Sequence, residues 1–313
     1  MKRLLLVTCC VLCVLLSACA SPVQPADPAT TTSSTATTTT TTTTTITSAT
    51  TTTKAEERVQ HLGLYRADSL TPLYEKVADE RIYPASLAKI TTAYTALYYV
   101  SGDTAFTVGS ELSLVKTGSS VCRIARGHTL TLRDLIAGLM ISSGNDAAYT
   151  IAVNVARQVA DNPDMSDREA VTYFCDLMNQ TARSLGATHS HYVNPDGWDD
   201  SAQYTTVQDL AILIREAMQL PEVSEAVACA EKTVSVGGGA KLTFRSTNQF
   251  LHRSSSFYDE RVTGFKTGST GKAGKCLAVT LTHNGVVYIA IVTNCPTDTD
   301  RYRTMQQLLN RIP

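Results

Sequence analysis

The run Pro84-Ala85-Ser86-Leu87-Ala88-Lys89-Ile90-Thr91-Thr92-Ala93-Tyr94 decides how the rest of the chain is read. Leu87, Ile90, Tyr94, Leu97 and Tyr98 recur at helical spacing, so a helix with one apolar face is expected after Pro84. Ser86 opens it and Lys89 lies three residues on, a separation that puts both side chains on one face, about 5–6 Å apart at Cβ. A serine becomes a nucleophile when a base sits one hydrogen bond away. At a helix N-terminus the backbone dipole also stabilises a developing oxyanion. The same spacing recurs at Ser113/Lys116 and Ser269/Lys272, but Gly118-Ser119-Ser120 closes the first stretch and Gly271 splits the second. Neither is expected on a helix.

Outward from this helix the pattern alternates. Leu62–Arg66 and Leu73–Lys76 flank Asp68-Ser69-Leu70-Thr71 and read as a hairpin. Thr131 with Asp134 is an N-cap signal for an amphipathic helix through Leu132, Leu135, Ile136, Leu139 and Met140. Asp146–Val159 reads as a third helix, and Thr206 with Asp209 caps a fourth through Ala217. The last third turns to strands, Arg261–Thr267, Cys276–Thr282 and Val286–Thr293, before a closing helix near Thr299–Arg311. This order predicts an α+β fold in which the first and last segments share one antiparallel sheet flanked by helices. With Asn284-Gly285 as a two-residue turn, Cys276 would oppose Thr293, so no disulfide between Cys276 and Cys295 is expected.

The 313 residues carry 27 basic and 28 acidic side chains, which gives no electrostatic case for nucleic acid. Lys2 and Arg3 precede the apolar run Leu4–Leu16, a signal-peptide pattern over residues 1–19. Leu16-Ser17-Ala18-Cys19 resembles the lipobox of bacterial lipoproteins, which implies lipidation at Cys19 and an extracytoplasmic protein anchored to the cell membrane by its N-terminal lipid. Residues 20–54, dominated by Thr and Ser, have no apolar period and read as a disordered linker reaching about 115 Å at full stretch. Residues 55–313 are left as the catalytic domain.

Two further motifs complete a serine acyl-transfer set, S-x-N and K-T-G, and each occurs twice. Ser143-Gly144-Asn145 lies between two apolar helices, a rigid mount for two polar groups, whereas Ser246-Thr247-Asn248 reads as a helix cap. Lys266-Thr267-Gly268 ends a strand-like segment, where Gly lets a substrate backbone lie close and Lys and Thr can hold a carboxylate. Lys116-Thr117-Gly118 is a second copy, in the short stretch that ends in Gly118-Ser119-Ser120, and position 266 is favoured over it.

Pro84–Lys89, Met140–Ala148, Val193-Asn194-Pro195-Asp196-Gly197 and Gly264–Gly268, in this order, resemble the low-molecular-mass penicillin-binding proteins of the D-alanyl-D-alanine carboxypeptidase family. The resemblance implies the serine β-lactamase/DD-peptidase fold and peptidoglycan stem pentapeptides as substrate. It gives Ser86 as nucleophile, Lys89 as base and Ser143 as proton relay. It places Asn145 on the substrate amide, Lys266 and Thr267 on the terminal carboxylate, and Gly268 and Ser269 at the strand edge, with the Ser86 and Ser269 N–H groups as the oxyanion hole. It implies β-lactams as covalent inhibitors and no cofactor or metal. A class A β-lactamase would also need a glutamate for its deacylating water; Asp161, Asp164, Asp167 and Glu169 occupy the expected region without a Glu-x-x-x-Asn pattern. A non-catalytic wall-binding lipoprotein of the same fold is the other alternative.

Overall fold

The computed structural model describes Val59, residues 61–237 and residues 239–313. The signal segment 1–19, the lipidation candidate Cys19 and the linker 20–54 lie outside the described residues. Strands β1 (His61–Arg66) and β2 (Pro72–Lys76) form the first hairpin. A 3-10 turn, Ala85–Leu87, leads into α1 (Ala88–Tyr99). The short strands β3 (Ala105–Thr107) and β4 (Thr129–Thr131) pair ahead of α2 (Leu132–Ile141) and α3 (Asn145–Val159). Then come α4 (Asp167–Ser184), α5 (Val207–Ala217) and α6 (Pro221–Ala228). A small hairpin, β5 (Glu231–Ser235) and β6 (Lys241–Arg245), precedes β7 (Val262–Thr270), β8 (Gly274–His283), β9 (Val286–Cys295) and α7 (Asp298–Leu309).

The main sheet has the order β2-β1-β9-β8-β7 and every neighbouring pair is antiparallel, so the two ends of the folded part meet in one sheet as expected. Alternation along the strands sends successive side chains to opposite faces. Cys276, Ala278, Ile289 and Ile291 join a core made with α1 to α6, while Leu277, Val279, Ala290 and Val292 pack against Tyr302, Met305 and Leu308 of α7. Both faces are covered, which is why β8 and β9 read as near-continuous apolar runs.

The expected caps form: Thr131 and Thr206 each accept a hydrogen bond from the backbone N–H three residues on, at Asp134 and Asp209. Several elements went unread: the short strands β3 and β4, helices α4 and α6, and the hairpin β5–β6. Helix α4 begins with a reciprocal capping box, in which Ser166 Oγ accepts from Glu169 N and Glu169 accepts from Ser166 N. The hairpin β5–β6 buries only Val234 and Phe244 on its inner face.

One register expectation is corrected. The pairing set by the Asn284-Gly285 turn holds from His283↔Val286 to Leu277↔Val292, and then a bulge brings Cys295, in place of Asn294, opposite Lys275. Cys276 and Cys295 belong to the cores on opposite faces of the sheet and remain free thiols.

Candidate active site

Ser86 is half-buried in the 3-10 turn and Lys89 is fully buried in the first turn of α1. In a 3-10 turn residues i and i+3 eclipse, so the pair meets even though the α-helix proper begins only at Ala88. Lys89 Nζ donates to Ser86 Oγ at 3.0 Å, to Asn145 Oδ1 at 2.7 Å and to the Asp196 carbonyl at 2.6 Å. Burial lowers the Lys89 pKa to about 8, against the opposing pull of the Asp196 and Asp146 carboxylates. An amine poised there can take a proton from the serine near neutral pH, which a solvated lysine cannot.

Asn145 opens α3 and its Nδ2 donates to Asp196 Oδ2 at 2.6 Å, while Asp196 Oδ1 accepts from Trp198 N. The adjacent Asp146 carboxylate accepts from Cys122 N and Ile124 N, and Asn145 N donates to the Ser120 carbonyl. These bonds hold the segment around Ser120 against the start of α3, where it walls one side of the site. The Asn194–Trp198 loop closes another. Gly197 has φ +85°, and a Cβ there would come within 1.8 Å of the Ala85 carbonyl oxygen, so the loop can pass the serine turn only as glycine.

The third side is β7. Gly268 lies against the serine turn: a Cβ on it would sit 3.1 Å from Ala85 Cβ and 3.2 Å from Ser86 N. Lys266 is wholly buried and its Nζ donates to the Thr267 carbonyl at 2.9 Å. Burial, with the Lys89 and Arg301 charges behind it, holds the Lys266 pKa well below the ordinary lysine value. Thr267 Oγ1 is 2.6 Å from Thr247 Oγ1, which anchors it from the β6–β7 connection. From α7, Arg301 donates to the Gly268 and Cys276 carbonyls at 3.3 and 3.2 Å and pairs with Asp298.

Between these sides lies a cavity of about 220 Å³ lined by Ser86, Asn145, Ser269, Gly118–Ser120, Asp196–Asp199 and Thr270–Gly271. Of the residues singled out from sequence, Ser86, Lys89 and Asn145 are joined by hydrogen bonds through Lys89, and Ser269 faces the same cavity. Lys266 and Thr267 precede Gly268 on the same strand. Ser143 sits in the left-handed region at φ 57°, nearly buried, and its Oγ makes no hydrogen bond among the described residues.

The competing motif copies do not assemble. Ser113 lies in the 3-10 turn Ser110–Leu114 with Lys116 beyond it, and Lys116 Nζ rests 5.1 Å from the Trp198 ring centroid. Asn248 caps the 3-10 turn Gln249–Leu251, accepting from Phe250 N, as its sequence suggested.

Asp196 and Asp199 are the carboxylates lining the cavity, and both are engaged. Asp199 Oδ1 accepts from Thr270 Oγ1, and its Oδ2 accepts from Lys272 N at 3.0 Å. Of the acids weighed for a deacylating role, Asp167 pairs with Arg157 and Glu169 is held in its capping box; none of the four lines the cavity.

Sequence reasoning missed three contributors. Asp196 was within a quoted motif but had no assigned role. Thr247 was read only as part of a cap, and Arg301 carried no local signal, because α7 reaches the site only through packing beneath β8.

A serine bonded to a buried lysine, mounted between a helical block and the edge of an antiparallel sheet, defines an active-site-serine acyl-transfer protein of the β-lactamase/DD-peptidase fold. Comparison with known proteins narrows the class. The family model described as D-alanyl-D-alanine carboxypeptidase matches residues 47–297, and the chain belongs to that family. It is 26% identical over 250 residues to D-alanyl-D-alanine carboxypeptidase DacF of Bacillus subtilis (79% of this chain, 60% of that protein). It is 31% identical over 247 residues to DacC of Escherichia coli (76% of this chain, 56% of that protein). The match therefore spans somewhat over half the length of these relatives.

Among solved structures, the Streptomyces K15 DD-transpeptidase superposes with a TM-score of 0.73 at 27% identity, covering 81% of this chain and 96% of that one. Penicillin-binding protein D2 of Listeria monocytogenes, in its ampicillin-bound form, gives 0.65 at 27% identity, covering 81% and 97%.

Proposed function

We propose that the protein is a serine-type D-Ala-D-Ala carboxypeptidase that removes the terminal D-Ala from peptidoglycan stem pentapeptides, with residues 55–313 as its catalytic domain. The observation that carries this reading is the 3.0 Å contact between Ser86 Oγ and the Nζ of a wholly buried Lys89. Neutral Lys89 accepts the Ser86 proton as Oγ attacks the carbonyl of the penultimate D-Ala, and the Ser86 and Ser269 N–H groups receive the oxyanion. Asn145 orients the substrate amide, Lys266 and Thr267 take the terminal carboxylate beside Gly268, and Ser143 passes a proton to the departing D-Ala. Water then cleaves the ester and frees Ser86.

A β-lactam presents a reactive amide beside a carboxylate, so it should acylate Ser86. The ring-opened leaving group of a β-lactam stays tethered over that ester and obstructs water, whereas D-Ala departs and admits it, and both cavity carboxylates are already engaged; this supports persistent acylation over β-lactamase turnover. Covalent labelling would also separate the enzyme from a non-catalytic wall-binding relative. For placement, we propose an extracytoplasmic enzyme anchored through lipid on Cys19; no helix of the described residues is long and apolar enough to cross a membrane. Cys19→Ala should move the protein from the membrane fraction to the soluble fraction, and an unlipidated, freely secreted native protein would refute the anchor. The activity is tested by incubating the full chain with a pentapeptide ending in D-Ala-D-Ala and assaying free D-Ala. Release that disappears in Ser86→Ala supports the reading; no release refutes it.

A further inference from the structure

A second cleft, about 370 Å³, adjoins the serine cavity; Lys116, Tyr149, Arg168, Thr172 and Asn194 are among its lining residues. The two share a wall. Asn194 Nδ2 donates to the Trp198 carbonyl at 3.0 Å and its Oδ1 accepts from Gly197 N at 2.9 Å, and both Gly197 and Trp198 line the serine cavity. Lys116 Nζ, 5.1 Å from the Trp198 ring centroid, stands at the junction.

The direction of β7 aims a substrate toward this junction. Gly268 abuts Ser86 N, and Lys266 and Thr267 come before it on the strand. A peptide whose terminal carboxylate is held at Lys266 and Thr267 therefore extends the other way, past Ser269 to Thr270 and Gly271. That end of the strand is tied to the Trp198–Asp199 loop by the Asp199 bonds to Thr270 Oγ1 and Lys272 N. The cleft's charge has one sign. Lys116 and Arg168 are its charged lining residues, both exposed, and neither pairs with a carboxylate among the described residues. Glu169 and Asp176 line a neighbouring depression that Arg168 also borders, where Glu169 is taken up by Ser166.

We infer that this cleft is a subsite for a free carboxylate on the substrate peptide, upstream of the scissile bond, with Lys116 and Arg168 as the residues that select it. The inference rests on the carboxypeptidase reading for the direction of the bound peptide. Cations this exposed give a modest and salt-sensitive preference, about five- to tenfold in affinity.

Trp198 is the chain's only tryptophan and sits against Lys116, so its fluorescence reports binding without turnover. The full-length Ser86→Ala protein is titrated with two pentapeptides ending in D-Ala-D-Ala, one with a free carboxylate on its second residue and one with that group amidated. The expected result is about fivefold or more tighter binding of the carboxylate form, a preference that shrinks at high salt and falls to near one when Lys116→Ala and Arg168→Ala are added. The same preference should appear in kcat/KM for D-Ala release by the Ser86 protein. Equal affinity for the two peptides, or a preference that survives loss of both cations, overturns the subsite. Absence of D-Ala release from either peptide would instead refute the carboxypeptidase reading, while the binding ratio in the Ser86→Ala protein still decides the subsite.

Discussion

The tripeptide Lys-Thr-Gly occurs twice, and its two copies have become different chemical objects. Lys266-Thr267-Gly268 is buried in β7, its lysine fully enclosed, its threonine bonded to Thr247 and its glycine pressed against the Ser86 backbone. Lys116-Thr117-Gly118 is exposed, its lysine resting on Trp198, and a Cβ on Gly118 would meet nothing within 4 Å. Burial costs a charged amine several kcal/mol unless its proton or its partners adjust, and that cost is what lowers the Lys89 and Lys266 pKa values. On the proposed reading, acylation chemistry falls to the enclosed lysines and recognition of charge at the rim to the open one.

That contrast breaks first at Lys89. Lys89→Ala removes the enclosed base and should slow acylation by penicillin about 10²- to 10⁴-fold, read as the second-order rate of covalent labelling; a loss under tenfold would mean that another group activates Ser86. The pH dependence sharpens the same point. Only neutral Lys89 can accept the proton, and its pKa is lowered to about 8, so the acylation rate should climb by about 10-fold per pH unit from pH 6 and level off above pH 8. A rate already flat at pH 6 would contradict a lysine base.

Lys266→Ala should lower acylation by roughly 10- to 150-fold, the equivalent of about 1.5–3 kcal/mol for a charge-assisted bond to the substrate carboxylate. A larger loss from Lys116→Ala than from Lys266→Ala would reverse the assignment of the two copies. The smallest effects test the glycines. Gly268→Ala pushes against Ser86 N and Ala85 Cβ and should slow acylation by about tenfold, whereas Gly118→Ala, at φ +81° in open space, should register mainly as about 1 kcal/mol of lost stability in a thermal melt.

The same division between local and distant causes explains what was legible in the sequence. Ser86 and Lys89 were readable because three-residue spacing on a helical turn is a local property, and the caps at Thr131 and Thr206 needed only the acid three residues on. Helix α4 was missed although Ser166 and Glu169 spell out its start and Ala170, Phe174, Leu177 and Met178 form its buried stripe. Arg301 and Thr247 could not be read, because each reaches the site through strand register and helix packing over long sequence separations. The bulge between Lys275 and Leu277 has the same origin: the turn at Asn284-Gly285 sets the pairing near it, but not a residue inserted at the far end of the strands.

The central claim, that Ser86 is the nucleophile of a penicillin-sensitive D-Ala-D-Ala carboxypeptidase, is tested most directly by locating the bond that penicillin forms. The full chain is treated with penicillin, quenched after minutes and digested, and the adduct is placed by mass spectrometry. The account predicts one ester that persists on the peptide containing Ser86 and is absent in Ser86→Ala. An adduct on Ser113 or Ser269, or rapid loss of penicillin with no adduct retained, would contradict it.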